Sequence, residues 1–167
     1  MTKIKEYNVA ALNIISQIYQ DIYIDAAAGY QMVENETSTT MRGFFTYRRQ
    51  QSYTKLPSKI LNGITAGIIF NQISMIQLYE AGVLDQKDGI RGIRRIVLDK
   101  LHINCKKIIG EGSAADFSFT GTRHRDAKGR DTFSAKLLLS QGAFEVTGSG
   151  LIFLRDCHTI TSPDVSL

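Results

Sequence analysis

Cysteine and proline are both scarce, with two of each in 167 residues. Cys105 and Cys157, in a chain with no visible secretion signal, read most simply as reduced thiols of a cytosolic protein. The first 24 residues alternate polar and apolar and lack an apolar core and a small-residue cleavage site, so no signal peptide is expected. So little proline beside 43% hydrophobic residues argues against a disordered chain. One globular domain is predicted over residues 1–154, with a polar tail at 155–167. No zinc-ligand spacing, phosphate-loop glycine pattern or dinucleotide fingerprint is present, so neither a metal nor a cofactor is expected. No internal repeat is found. The net charge of +4 is modest, and no nucleic-acid partner is predicted.

What the chain does have is one long apolar stretch, Leu56 to Val83. Ile60, Leu61, Ile64, Ile68, Ile69, Phe70, Ile73, Met75, Ile76 and Leu78 cover it nearly all the way round, so a helix here must be wrapped by other structure. Lys59, Asn62, Asn71, Gln72, Gln77 and Glu80 interrupt it too often for a lipid-facing span, and no membrane insertion is expected. Pro57 and Ser58 are placed at its start and Ala81-Gly82 at its end. Gly63, Gly67, Asn71 and Ser74 share a small-residue face that would let another backbone approach. Asn62 falls on a different side, with Ala66, Ile69 and Ile73, in the first turn. There the backbone N–H groups lack intrahelical partners and a developing negative charge is favoured. A helix cap or a satisfied core amide is the other reading of Asn62.

The rest of the chain is read around that helix. Residues 4–24 have three-to-four spacing and predict an amphipathic helix ending near Tyr19. Residues 22–33 and 37–47 look extended. Strands are expected at 90–109, 114–122, 132–141 and 143–154. In the first of these, Ile93, Ile96 or Val97, Leu101, Ile103, Cys105 and Ile108 point inward, although the period is not clean. Phe117 and Phe119 share a face. A curved antiparallel sheet around one apolar helix satisfies this order, giving an α+β hotdog fold. Gaps between the later strands are too short for the crossovers that parallel pairing would need. Hotdog domains usually pair edge to edge, so a homodimer or larger assembly is predicted.

Three features carry a resemblance: YIDA at Tyr23–Ala26, a tyrosine at 53 in a short connection, and Asn62 nine residues before Asn71 in ILNGITAGIIFNQ. Together they resemble the FcoT-like family of hotdog fatty acyl thioesterases, over residues 19–80 by motif and onward to 154 by strand order. The resemblance implies action on acyl-CoA or acyl-carrier-protein thioesters, some relatives adding glycine across an enoyl thioester. It implies site roles for Tyr53 and Asn62, with Tyr19 as a third. The Tyr53–Asn62 spacing differs by one residue from the family pattern, leaving Thr54 as a rival, and the segment from Tyr19 to YIDA is shorter.

Thioester chemistry needs a polarised carbonyl, a delivered nucleophile and an apolar slot. The helix N-terminus supplies the first, through the Gly63 N–H or a neighbour. The slot is expected along Gly63, Ala66, Ile69 and Phe70. Arg94 and Arg95, with the basic strands and the HRDAKGR tip, would meet coenzyme A phosphates or an acidic carrier protein, unless these charges only solvate a strand face and hairpin tip. No carboxylate sits near the helix start. His102 and Cys105 face opposite sides of a strand and form no dyad. Ser149, between two glycines, marks a bulge or close approach more readily than a nucleophile. Hydrolysis is the leading expectation. Amine addition or dehydration, and acyl-chain binding without turnover, are the alternatives.

Overall fold

A computed structural model gives the architecture. It describes residues 3–6, 13, 15–16, 19–24, 30–34, 37–47, 59–80, 95–112 and 114–153. Seven strands are present among them: β1 (Lys3–Glu6), β2 (Tyr30–Glu34), β3 (Ser38–Thr46), β4 (Arg95–Cys105), β5 (Ala114–Arg125), β6 (Asp131–Leu139) and β7 (Phe144–Phe153). Helix α1 (Gly63–Glu80) lies between β3 and β4 in the chain. The strands form one sheet in the order β1-β2-β3-β5-β6-β7-β4, with antiparallel neighbours throughout. This is the hotdog arrangement that the pattern predicts.

Period-two alternation decides which face of the sheet meets the helix. Met41 and Phe45 of β3, Phe117 and Phe119 of β5, Phe133, Leu137 and Leu139 of β6, and Phe144 and Val146 of β7 are all buried. Against them α1 turns Ala66, Ile69, Phe70, Ile73 and Ile76, each fully buried. Phe70 and Phe119 sit 5.9 Å apart at a 56° tilt, inside the range where aromatic rings attract beyond their area alone. Burying one such side chain is worth about 1.5–3 kcal/mol, so this inward stripe holds the sheet on the helix. The polar outer face carries Glu145 between Lys136 and Lys106. Those two lysines, Lys136 foremost, hold its carboxyl down at about 2.

Two expectations are corrected at the N-terminal side. Residues 3–6 are strand rather than helix, because β1 pairs with β2 (Ile4 opposite Val33) and tertiary pairing overrides local helical spacing. Helical backbone occurs at Asn13, Ile15 and Ser16, and Tyr19 N–H donates to Ile15 O at 2.8 Å. Val9, Leu12, Ile14 and Ile18 lie outside the described residues. Helix α1 also starts later than Pro57-Ser58, which are themselves outside the described residues. Residues 59–61 instead run beside 109–111: Leu61 N–H donates to Ile109 O at 2.8 Å and Glu111 N–H to Lys59 O at 2.9 Å. The buried Tyr47 hydroxyl donates to Ile60 O at 2.8 Å. That small ladder fixes where the helix begins.

Strand β4 explains its own broken period. Its register with β7 slips between Leu98 and Lys100, leaving Asp99 as an extra residue. A bulge of this kind reverses the parity of the side chains beyond it. Leu98, Leu101 and Ile103 therefore share the helix-facing side, whereas Val97, Cys105 and Ile108 are exposed and Ile109 is buried. Ser149 Oγ donates to the Asp99 carboxylate at 2.8 Å across the bulge. The flanking glycines are close approaches. A Cβ on Gly150 would lie 2.4 Å from Val97 O, and one on Gly148 would lie 2.8 Å from the Phe70 ring. No helix among the described residues is long and apolar enough to cross a membrane. The tail from 155 is outside them.

Candidate functional site

Helix α1 is not covered all round. Gly63, Ile64, Gly67, Ile68 and Asn71 fall on one stripe that faces Leu98, Leu101 and Ile103 of β4 across a cavity of about 600 Å³, with Tyr19 also lining it. The cavity is open: Ile64 is 63% exposed and Leu101 44%. Side chains of β4, rather than another backbone, approach the small-residue face. A Cβ on Gly67 would stand 3.4 Å from Leu101 Cδ2 and 3.6 Å from Ile103 Cδ1, and one on Gly63 would be 4.0 Å from Ile103. Ser74, the fourth member of that face, is buried and donates its hydroxyl to Phe70 O at 2.8 Å.

The head of the cavity is the first turn of α1. Asn62 caps it: Thr65 N–H donates to Asn62 Oδ1 at 2.9 Å, and Ala66 N–H to Asn62 O at 3.0 Å. Capping is one of the two readings that the sequence left open. Gly63 and Ile64, whose N–H groups have no partner within a helix that starts here, both line the cavity. The first turn holds no acidic residue, so nothing there opposes the positive pole of the helix.

A polar pair lines the cavity further along. Asn71 Nδ2 donates to the Tyr19 hydroxyl at 2.6 Å. Tyr19 belongs to no regular element, and the neighbouring Gln72 holds its segment in place. The buried Gln72 amide donates to Asp21 O at 2.6 Å and accepts from Tyr23 N–H at 3.1 Å. The Asn-Gln of the helix thus secures residues 19–23 from two adjacent positions. Burial pushes the Tyr19 phenol above its ordinary value, and the Asn71 hydrogen bond offsets part of that rise.

A phenol raised in the folded state keeps its proton where the unfolded chain has lost it. Its share of stability is intact below about pH 10 and is lost as pH climbs through the folded value. Tyr19→Phe is therefore expected to flatten the alkaline fall in stability, read from denaturant melts between neutral pH and roughly pH 11. An unchanged alkaline slope would show that Tyr19 is not shielded as described.

The predicted site residues divide. Tyr19 and Gly63 line the cavity, and Asn62 adjoins it through the cap. Ala66, Ile69 and Phe70 do not line it; they are fully buried in the sheet-facing core, about a quarter turn or more away on the helix. Tyr53, Thr54 and Arg94 are outside the described residues, and Arg95 opens β4. The hairpin tip is less free to meet phosphates than its composition suggests, since Arg130 pairs with Asp126 at 2.7 Å and Arg125 with Asp131 at 3.3 Å. Asn71 lines the cavity although residue-by-residue reasoning did not place it in the site. The signal was there in the four-residue spacing of 63, 67 and 71. Among the described residues no group of three His, Cys, Asp or Glu could hold a metal.

Of the described lining residues Tyr19 alone titrates. Among the described residues the lining is therefore apolar, with the first turn of α1 at its head and a Tyr–Asn pair further in, and it holds no carboxylate or histidine.

No protein-family model matches the sequence, and no curated protein does. Solved structures to which the chain is similar include a hypothetical thioesterase protein with coenzyme A from Streptococcus pneumoniae TIGR4, at 11% identity and a TM-score of 0.48, covering 87% of this chain and 95% of that one. A thioesterase superfamily structure from Jannaschia sp. CCS1 is 14% identical with a TM-score of 0.47, covering 74% of each chain. The E. coli PaaI protein from the phenylacetic acid degradation operon is 9% identical with a TM-score of 0.43, covering 73% of this chain and 82% of that one. At such identities and scores the likeness carries no weight for activity.

Proposed function

We propose that this chain processes an acyl thioester, laying the acyl chain along the open stripe of α1 with the carbonyl at its first turn, and that the reaction is hydrolysis. The observation that supports it most is the position of Gly63 and Ile64: their N–H groups begin the helix and the same residues wall an apolar trough. A donor aimed at a developing oxyanion in such a place is worth roughly 3–4 kcal/mol. Asn62 holds the turn in shape through its cap. Tyr53, on the connection before the helix, is proposed as the further hydrogen-bond donor, and coenzyme A or a carrier protein as the thiol partner.

A second copy is proposed to complete the trough. Strand β4 ends the sheet, and among the described residues nothing pairs with its outer side. Leu101 is exposed on its helix-facing side and Ile64 beside it. Two β4 edges paired across a two-fold axis would cover these side chains. Sedimentation at about twice 18.6 kDa supports this arrangement, and a monomer at micromolar concentration overturns it.

Turnover is tested by following free thiol from coenzyme A thioesters of graded chain length. Asn62→Ala is expected to cost about 1 kcal/mol of stability, whereas Asn62→Ser keeps the cap. If Asn62 acts only by capping, the serine variant retains turnover and the alanine variant loses part of it. Loss in both assigns Asn62 a contact with substrate. The second reading is chain binding without turnover, which the apolar lining formed by the described residues also suits. Tight binding with thiol release no faster than buffer would establish that reading, and a product of increased mass would point to amine addition.

A further inference from the structure

The Tyr19–Asn71 pair is an odd floor for a trough meant for a plain hydrocarbon. Its one hydrogen bond, from Asn71 Nδ2 to the phenolic oxygen, engages one donor and one acceptor of the pair. The phenolic hydrogen and Asn71 Oδ1 meet no other group among the described residues. Turning the amide over exchanges which atom does what: the phenol then donates to Oδ1, and Nδ2 together with a phenolic lone pair is left. In either orientation the pair offers at least one donor and one acceptor to whatever lies in the cavity. Around it are Ile68, Leu98, Leu101 and Ile103, none of which can satisfy them. An alkyl chain laid over the pair would strip its water and return no hydrogen bond, which is unfavourable. A hydroxyl or oxo group at that point would answer the donor, and a hydroxyl would answer both.

The spacing along the helix sets where that group must be. Gly63 and Asn71 are eight residues apart, about 12 Å at 1.5 Å per residue. An extended chain covers roughly 1.2 Å per bond, as a peptide residue of three bonds spans about 3.3–3.6 Å. The gap corresponds to about ten bonds. We infer that the acyl chain taken by this trough carries a hydroxyl or oxo group about ten carbons from the thioester carbonyl, received by Tyr19 and Asn71. Tyr19 then acts on the chain and not on the carbonyl. The inference rests on the carbonyl lying at the first turn of α1, as proposed above.

The test compares coenzyme A thioesters of a saturated chain and of the same chain hydroxylated roughly ten carbons from the carbonyl. In the wild type kcat/KM is expected to favour the hydroxylated chain by roughly tenfold to a hundredfold, chiefly through KM, since a site built to bond a polar group rejects the analogue lacking it. Asn71→Leu and Tyr19→Phe should each bring the ratio toward one. Tyr19→Phe serves where the leucine variant fails to fold. Equal rates on both chains in the wild type, or a ratio insensitive to both variants, overturns the inference and leaves the thioester reading standing. If neither thioester is turned over, calorimetry with the matched free acids decides: at least tenfold tighter binding of the hydroxylated acid supports the inference, and equal affinities refute it.

Discussion

Gly67→Leu is expected to lower turnover of long-chain acyl thioesters by at least about a hundredfold while leaving the protein folded. The reason is placement. A Cβ at 67 meets only Leu101 Cδ2 at 3.4 Å and Ile103 Cδ1 at 3.6 Å, both ordinary contact distances. Everything beyond that Cβ has to occupy the trough. Gly67→Ala separates the two effects in opposite directions. Removing a glycine from a helix interior stabilises by about 0.5–1 kcal/mol, while one added methyl narrows the trough. The alanine variant should therefore melt higher and bind long chains more weakly. Thermal melts and acyl-thioester titrations read the two quantities separately. Wild-type turnover in Gly67→Leu would mean that substrate lies elsewhere and would remove the basis of the proposed site.

Gly150→Ala is expected to destabilise the fold by about 3 kcal/mol, or roughly 6–12 °C in Tm. A Cβ there would stand 2.4 Å from Val97 O and 2.7 Å from Phe133 Cε1. The first is backbone, so relief requires β4 itself to shift at the point where it bulges. Because β4 carries Leu98, Leu101 and Ile103, the same shift should distort the trough. Gly148→Ala is expected to be milder, because its nearest neighbour is the Phe70 ring at 2.8 Å and a ring can tilt. Chemical denaturation of both variants checks the order. A Gly150→Ala protein as stable as the wild type would show that β4 is not held where the register places it.

Much of the architecture was legible because two periods dominate the chain. Apolar coverage of residues 60–78 could only belong to an enclosed helix, and alternation at Phe117 and Phe119 correctly oriented β5. The errors have particular causes. Asn62 is a stronger start signal than Pro57-Ser58, but Ile60 and Leu61 extend the apolar pattern past it, for they are held by residues 109–111 and not by helical bonds. Strand β4 defied a single period because Asp99 reverses its parity. The site was half legible. Gly63, Gly67 and Asn71 were read as one face, yet what faces them depends on a strand some 30 residues away, and no local pattern encodes that. Ala66, Ile69 and Phe70, expected along the slot, lie on the most apolar side of the helix, which the sheet buries, while the open cavity follows the stripe of Gly63, Gly67 and Asn71. Tyr19 came only from resemblance, since its contact with Asn71 spans 52 positions.

The sheet order has a consequence for synthesis. Strand β4 leaves the ribosome before β5, β6 and β7, yet among the described residues the strand that pairs with it is β7. Until residues 144–153 emerge and dock, the outer bank of the trough is an orphaned ribbon bearing Val97, Leu98, Leu101 and Ile103. The last strand made therefore closes the structure twice over: it shelters a segment prone to stick to its neighbours, and it sets in place the wall against which any acyl chain would lie.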